Sequence, residues 1–168
     1  MSFYDHRFEA PIEAYDYGKY FYRVVWLPPL LVDYLPFEEH PRLRIDGEIA
    51  EHGCNAAFFP ERCRWYFIVP KLVLNEVGLD VGDQVEVSFR VADQDAIDMP
   101  DELAAALRSN TVAQTEWDDL TAGRKRGIAH YVGSAKREET RRKRVDTVLA
   151  GLRGEGELPG VAPHKRKA

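Results

Sequence analysis

The sequence predicts an α+β protein: a small β-barrel with an internal duplication, followed by a C-terminal helical module. Residues 1–95 contain short runs rich in aromatic and β-branched residues, with no long helical segment between them, which is typical of a small barrel or sandwich. Within that part, residues 24–49 and 66–91 repeat one pattern at a shift of 42 positions. After residue 95 the spacing of apolar residues changes to that of helices.

The predicted strands begin with residues 8–15 and 20–27, which a turn signal at Gly18 separates. Residues 43–53 alternate apolar and polar side chains, and we interpret His52-Gly53 at their end as a hairpin turn. Three further strands are predicted in the segments NAAFFP, CRWYFIVP and QVEVSFRV. We interpret Trp26, Trp65 and the tyrosines of this part as core residues or cross-strand pairs.

The repeat aligns Pro28 with Pro70, each at the end of a strand and before a short apolar helical turn. Proline suits this position because it cannot donate to a strand ladder and its fixed φ fits the first turn of a helix. Gly47 against Phe89 departs from the pattern. One copy alone leaves an apolar sheet face open, so we expect the second copy to cover it and to close the barrel.

Residues 96–152 are predicted to form the helical module. Pro100 opens the first helix, with acidic residues in its first turn, and Thr111 is expected to cap the second. Gly133-Ser134 is expected to interrupt the helical pattern and to cap the last helix. Residues 153–168 are rich in Gly, Pro, Lys and Arg, which predicts a disordered tail.

Charge separates the two parts of the chain. Residues 1–95 carry 9 Lys and Arg against 17 Asp and Glu, a net charge of −8, whereas residues 96–168 carry 14 against 11, a net charge of +3. Contacts with phosphates need clustered Lys and Arg, so we do not expect the barrel to bind DNA. The asymmetry indicates that the two parts have different roles or partners.

The segment AKREETRRKRV, residues 135–145, is the main candidate for a binding site. At 100° per residue, Ala135, Val145 and Leu149 fall on one apolar stripe, while most of the basic residues point away from it. Two interpretations are open: a solvated helix face, or a face that binds an anion, an acidic partner or nucleic acid. The candidate anion- or partner-binding residues are Arg124, Lys125, Arg126, Lys136, Arg137, Arg141 and Arg144.

Two resemblances follow from these patterns. The repeated strand–turn–strand unit resembles the AbrB/MazE-like double-split β-barrel, in which two chains usually contribute one half each and many members bind DNA. The segments WYFIVPKLVLNEVGLDVGDQVEVSFRV, MPDELAAAL and GIAHYVGSAKREETRRKRV, with FEAPIEAYDYGKYFYRVVWLP before them, resemble the bacteriocin-protection family described as YdeI- or OmpD-associated (OmdA-like). This second resemblance covers roughly residues 8 to 152.

The motif of that family falls on Ala135, Lys136, Glu139, Thr140, Arg141, Arg144 and Val145. The resemblance implies a split-barrel domain of unknown function joined to a helical module, and a role in stress or bacteriocin tolerance. It supplies no established reaction.

Motifs for catalysis are absent from the sequence, which has no phosphate-binding loop, no GxGxxG and no GxSxG. His52, Cys54 and Cys63 could approach one another across a hairpin, but three ligands at this spacing do not match a zinc site. Asp80 and Asp83 flank Val81-Gly82 and are explained by turn geometry. We therefore expect no enzymatic activity, no cofactor and no bound metal.

The expected protein is a monomer in the cytoplasm, with both cysteines as free thiols. No run approaches the roughly 18 apolar residues of a membrane span, and no secretion signal is visible. We expect a non-enzymatic binding or adaptor protein in envelope-stress or bacteriocin tolerance, whose partner is an unknown protein or a small anion. The alternatives are a nucleic-acid-binding regulator that uses the basic helix, and an enzyme or sensor for a small anionic ligand. High-affinity DNA binding is not expected.

Overall fold

The computed structural model describes residues 3–160 of the 168-residue chain. The chain divides after Gln94 into two compact units. Among the described residues, the first unit contains eight strands and two short helices, and the second contains four helices. The predicted α+β class is therefore confirmed.

Two antiparallel four-stranded sheets form the first unit, in the orders β1-β8-β4-β5 and β2-β3-β7-β6. Helix α1 (Pro29–Val32) lies between β3 and β4, and α2 (Lys71–Val77) lies between β7 and β8. The strands are β1 (His6–Pro11), β2 (Glu13–Asp16), β3 (Phe21–Trp26), β4 (Arg44–Ile49), β5 (His52–Ala57), β6 (Phe59–Glu61), β7 (Arg64–Ile68) and β8 (Gln84–Val91).

The sheets are not joined into a closed barrel, so the expectation of closure is wrong. Closure requires the edge strands of one sheet to pair with those of the other, but β2 and β6 have only four and three residues and pair with β3 and β7. The chain instead passes from one sheet to the other at Ile12 and Phe58, which are fully buried at these corners. One core, between the sheets, therefore serves both of them.

The hairpin between β4 and β5 turns at Ala50 and Glu51, which both have positive φ, and not at His52-Gly53 as the sequence predicts. Gly signals a turn because it tolerates positive φ, but here two residues with side chains adopt that conformation and Gly53 pairs within β5.

Residues 24–49 and 66–91 follow the same order of strand, helix and strand. In the β3–β7 pair, Val24 lies opposite Ile68 and Trp26 opposite Tyr66. The shift of 42 positions relates Val24 to Tyr66 and Trp26 to Ile68, so it converts each of these pairs into the other. The two copies are therefore related by a local two-fold axis, which in this sheet passes between Val25 and its partner.

The same exchange holds for β4 and β8, where the axis passes between Gly47 and Phe89. A Cβ on Gly47 would lie 2.5 Å from the Ser88 carbonyl oxygen and 2.9 Å from the Phe89 Cβ. Phe89 is fully buried. This explains why Gly47 departs from the repeat: equivalent side chains meet on the axis, and the core has room for one of them.

The second unit comprises α3 (Asp101–Arg108), α4 (Thr111–Asp118), α5 (Ala122–Gly133) and α6 (Glu138–Leu152) around its own apolar core. The N-cap of α4 is Asn110, whose Oδ1 accepts from the Ala113 amide at 3.1 Å, and not Thr111. Ser134 ends α5 and does not cap α6, which begins at Glu138. In the part of the chain that the structure describes, no helix has the length and apolar character needed to cross a membrane.

Residues 153–160 belong to the segment for which composition predicts a disordered tail, but they turn back on the helical unit. Arg153 makes two hydrogen bonds to the Glu155 carboxylate, at 2.9 and 2.8 Å, and Leu158 packs against the core of the unit. The backbones of Gly127 and Gly160 approach so closely that a Cβ on Gly127 would lie 2.1 Å from the Gly160 oxygen. The rest of the predicted tail, residues 161–168, lies outside the described residues.

Candidate functional site

Arg144 of the predicted basic face turns back towards α5. Its Cζ lies 4.7 Å from the centroid of the Tyr131 ring, and its Nη1 donates to the Tyr131 carbonyl oxygen and, at 3.1 Å, to the Ser134 Oγ. The last carbonyl groups of a helix lack partners within the helix, and Arg144 satisfies one of these at the end of α5. Its guanidinium thus joins α6 to α5.

Arg141 joins α6 to two other parts of the helical unit. Its Nε donates to the Glu102 Oε1 of α3 at 2.7 Å, and its Nη1 donates to the carbonyl oxygens of Ala135 and Lys136 at 3.1 and 3.2 Å. The hydrogen bond from Arg141 holds the pKa of the Glu102 carboxyl below its ordinary value. Both arginines of the motif, Arg141 and Arg144, therefore donate hydrogen bonds to acceptors within the helical unit.

The other motif residues follow the surface and the core of α6. Ala135 and Val145 are buried, and Thr140 is half-buried. Glu139 pairs with Lys143 at 2.8 Å, and Glu138 pairs with Arg142 at 2.6 Å, one helical turn apart. Exposed pairs of this kind stabilise a helix by a few tenths of a kcal/mol. Much of the motif is therefore explained by residues that pack or stabilise the helices.

The remaining candidate residues are divided between α5 and the turn before α6. Lys125 donates from its Nζ to the Asp118 carbonyl oxygen at 3.0 Å, while Arg124 and Arg126 are half-buried on α5. Lys136 and Arg137 are exposed, and neither side chain forms an ion pair among the described residues. An anion or partner site on this surface stays a prediction, for which these last two residues supply the outward charges.

A second candidate site lies on the outer side of the β2-β3-β7-β6 sheet. Side chains alternate along a strand, so Val25 and Phe67 point into the core while Trp26 and Tyr66 point away from it. The Tyr66 ring centroid lies 5.1 Å from that of Trp26 and 4.8 Å from that of Tyr15. We call this surface the aromatic face; it is formed by Tyr15, Tyr22, Trp26, Phe59 and Tyr66, of which Tyr66 is buried at 9% exposure and the other four are half-buried.

Charged groups border the aromatic face. The Arg64 Cζ lies 4.1 Å from the Trp26 ring centroid, and the Arg42 Cζ lies 5.6 Å from that of Phe59. Burial, and then a hydrogen bond with Glu61, raise the pKa of the Tyr15 hydroxyl. A cavity of about 290 Å³ opens beside these residues. The sequence shows that β3 and β7 are rich in aromatic residues, but it does not confine the rings to one side: Trp65 and Phe67 lie on the core side, whereas Trp26 and Tyr66 lie on the other.

The remaining sequence candidates lie in turns and strands. Among residues 3–160, no three His, Cys, Asp or Glu side chains are grouped as ligands of a metal ion. Cys54 is half-buried and Cys63 is exposed, and both are free thiols. The Asp80 amide donates to the Asp83 Oδ2 at 2.8 Å, which is the turn geometry that the sequence predicts.

These observations define a two-unit α+β protein, with an outward aromatic sheet face and a helical unit that arginines fasten together. Residues 96–154 match the family model described as bacteriocin-protection, YdeI or OmpD-associated. The resemblance that the sequence indicates is confirmed for this segment, which contains all four helices of the second unit. No curated protein matches the chain.

Proposed function

We propose that this is a non-enzymatic binding or adaptor protein that holds a protein partner on its aromatic face. The observation that carries the proposal is the set of touching rings of Tyr15, Trp26 and Tyr66 on the side of the sheet away from the core. Tyr and Trp contribute large contact areas at a low cost in conformational entropy, and together with Arg they dominate the energetic centres of protein interfaces.

The charge of this part of the chain favours a basic partner. Residues 1–95 have a net charge of −8, and Glu13 lies on the aromatic face because it pairs opposite Val24, while Arg42 and Arg64 place positive charge at the border of this face. Aromatic rings could also stack on the bases of single-stranded nucleic acid, but that kind of binding needs a positively charged groove for the phosphates. The net negative charge of this unit attracts a protein with a basic surface and repels a polyanion such as nucleic acid.

The match of residues 96–154 supports a role in bacteriocin or envelope-stress tolerance. We extend the proposal to a monomer that acts in the cytoplasm. The symmetric pairing of β3 with β7 and of β4 with β8 supports an origin of the first unit as two AbrB/MazE-like halves within one chain. Arg141 and Arg144 are then structural residues that hold the helical unit together.

Site-specific photocrosslinking tests the proposed interface. A photoreactive phenylalanine derivative replaces Tyr17, whose ring adjoins Tyr15 at the border of the aromatic face and is 66% exposed. The matched control is the same replacement at Phe3, which is 68% exposed and lies against Arg90 of β8 in the other sheet. We expect a defined protein adduct in host cells from position 17 and not from position 3, unchanged by nuclease. Adducts from both positions alike, or an adduct that nuclease removes, would contradict the proposal.

Binding of the identified, purified partner then tests the charge argument. Glu13→Lys places a positive charge on the aromatic face, whereas Glu9→Lys makes the same change on β1 of the other sheet. We expect at least a tenfold loss of affinity for Glu13→Lys in calorimetry and a loss below threefold for Glu9→Lys. Equal losses would show that overall charge, and not this face, determines binding. A deletion strain rescued by the wild-type gene but not by Glu13→Lys would connect the face to tolerance.

A further inference from the structure

The local two-fold axis relates two positions that the chain fills differently. In one copy, the Arg23 Nε donates to the Asp80 Oδ1 at 3.2 Å. The residues related to these by the shift of 42 positions are Trp65 and Glu38. There the guanidinium has no counterpart, and a cavity of about 530 Å³ opens between the two residues.

Aromatic and apolar groups form the walls of this cavity, and acidic groups form its rim. The Trp65 ring stacks on Phe37 with centroids 4.3 Å apart and planes inclined by 23°. The lining contains three carboxylates, from Asp33, Glu38 and Glu39, and includes no basic side chain. The Trp65 Nε1 is buried and has no hydrogen-bond partner among the described residues. A buried donor without an acceptor is uncommon in folded proteins.

We propose that this cavity binds an arginine side chain of a partner polypeptide; the proposal rests on the proposed function and names the group that a basic partner would insert. The guanidinium would lie against the Trp65 ring and pair with Glu38, as Arg23 pairs with Asp80 in the other copy. A planar guanidinium can stack on an indole ring and pair with a carboxylate at its edge, which a compact ammonium does less well.

The Trp65 Nε1 has almost no accessible surface, so the indole N–H does not open onto the cavity. A ligand in the cavity therefore meets the indole ring and the carboxylates of the rim, and not the N–H.

The indole N–H resonance of Trp65, assigned with the Trp65→Phe variant, reports binding directly. The probes are acetyl-Gly-Arg-Gly-amide and the same tripeptide with citrulline, which keeps the shape of arginine and removes its charge. We expect the arginine peptide to shift the Trp65 resonance and to bind at least tenfold more tightly than the citrulline peptide. Equal affinities, or shifts at Trp26 or Trp117 without a shift at Trp65, would overturn the proposal.

Two substitutions make the test specific to this copy. Glu38→Gln should weaken binding of the arginine peptide at least fivefold, while Asp80→Asn, the same change at the related position, should leave it within twofold. Trp65→Arg should fill the cavity from within the chain and abolish binding. If that variant does not fold, Glu38→Gln decides alone, and wild-type affinity in Glu38→Gln would overturn the proposal. Failure here leaves the crosslinking at Tyr17 unaffected, so the two proposals fail separately.

Discussion

Arg144 lies with its guanidinium over the ring of Tyr131 and donates to the carbonyl oxygen of the same residue. One side chain thus recognises both the ring and the backbone of a residue thirteen positions earlier in the chain. Because Tyr131 belongs to α5 and Arg144 to α6, the contact joins the two helices across their connecting turn.

Removal of this contact should destabilise the helical unit. Arg144→Ala removes the charged donor of the Tyr131 carbonyl oxygen and leaves it the Ser134 hydroxyl at 3.3 Å, which costs about 1–3 kcal/mol in the free energy of unfolding. Urea unfolding followed by far-ultraviolet circular dichroism at the helix band, which reports mainly on the four helices of this unit, measures the loss. Lys143→Ala, which breaks the exposed pair with Glu139, should cost less than about 0.5 kcal/mol. Similar losses for both variants would assign Arg144 to the solvated surface.

The pair of Arg141 and Glu102 should make stability depend on acidic pH. Arg141 lowers the pKa of the Glu102 carboxyl from its ordinary value of 4.5, so the folded state favours the charged form. The resulting stabilisation is complete above pH 4.5 and is lost as the pH falls through the lower pKa of the folded state. The difference in unfolding free energy between wild type and Glu102→Gln should therefore shrink between pH 6 and pH 3. A constant difference across this range would contradict the prediction.

Gly47→Ala should destabilise the first unit. The added Cβ would meet the Ser88 carbonyl oxygen and the Phe89 Cβ inside normal contact distance, and overpacking of a core costs about 1–3 kcal/mol. Gly53→Ala is the matched control in the neighbouring strand, where a Cβ meets nothing within 4 Å. Thermal unfolding should give a lower transition temperature for Gly47→Ala and an equal or higher one for Gly53→Ala. A tolerated alanine at position 47 would disprove the steric account of the repeat.

The two cysteines should react at different rates. Burial, with smaller effects of Glu48 and Asp46, raises the pKa of the Cys54 thiol from 9.0 to about 11. At pH 8 this lowers its thiolate fraction about a hundredfold relative to an ordinary thiol. We expect iodoacetamide to modify the exposed Cys63 first, and Cys54 to react at a comparable rate only in urea. Mass spectrometry of wild type and Cys63→Ser checks the order, and rapid modification of folded Cys63→Ser would contradict it.

Duplex DNA should bind weakly and lose its affinity with added salt. Arg141 and Arg144 donate to internal acceptors, so Lys136 and Arg137 are left as the outward charges next to α6. Each phosphate neutralised contributes about −0.9 to the salt slope, and non-specific binding lies at roughly 10⁻⁴ to 10⁻⁶ M. Titration of labelled duplex at 50 and 200 mM salt, with Lys136→Ala as a comparison, should give a slope shallower than about −3. Tight, sequence-dependent binding at the higher salt would favour a nucleic-acid regulator instead.

Local patterns were sufficient to predict several elements of this fold, but not the division of the predicted strands 8–15 and 55–60 between two sheets. The alternation in QVEVSFRV became β8, and the proline before each short helix lies at the predicted position with nearly identical backbone angles in Pro28 and Pro70. Of the apolar stripe that helical spacing predicted, Ala135 and Val145 are buried and Leu149 is half-buried. These features depend on neighbours within a few residues, which a sequence displays directly.

The direction of the long basic side chains could not be predicted in this way. A helical projection places Arg144 away from the apolar stripe, but its flexible stem lets the guanidinium reach α5. Its hydrogen-bond partners depend on where α5 ends and on how α5 packs against α6, and both are properties of the tertiary structure. The prediction of a closed barrel failed for a similar reason. The strands β2 and β6 are short because the chain bends at Ile12 and Phe58, and no local pattern marks these bends.

Gly47 opposite Phe89 has a consequence for the history of the chain. In a homodimer with the same architecture, the residue on the axis would face its own copy, so a single gene must place two identical residues there; two glycines would leave a void and two phenylalanines would collide. Once both halves share one polypeptide, each can mutate alone. Fusion of the halves would thus have made an asymmetric centre heritable, and with it the freedom for one copy to keep an ion pair while the other opened a cavity.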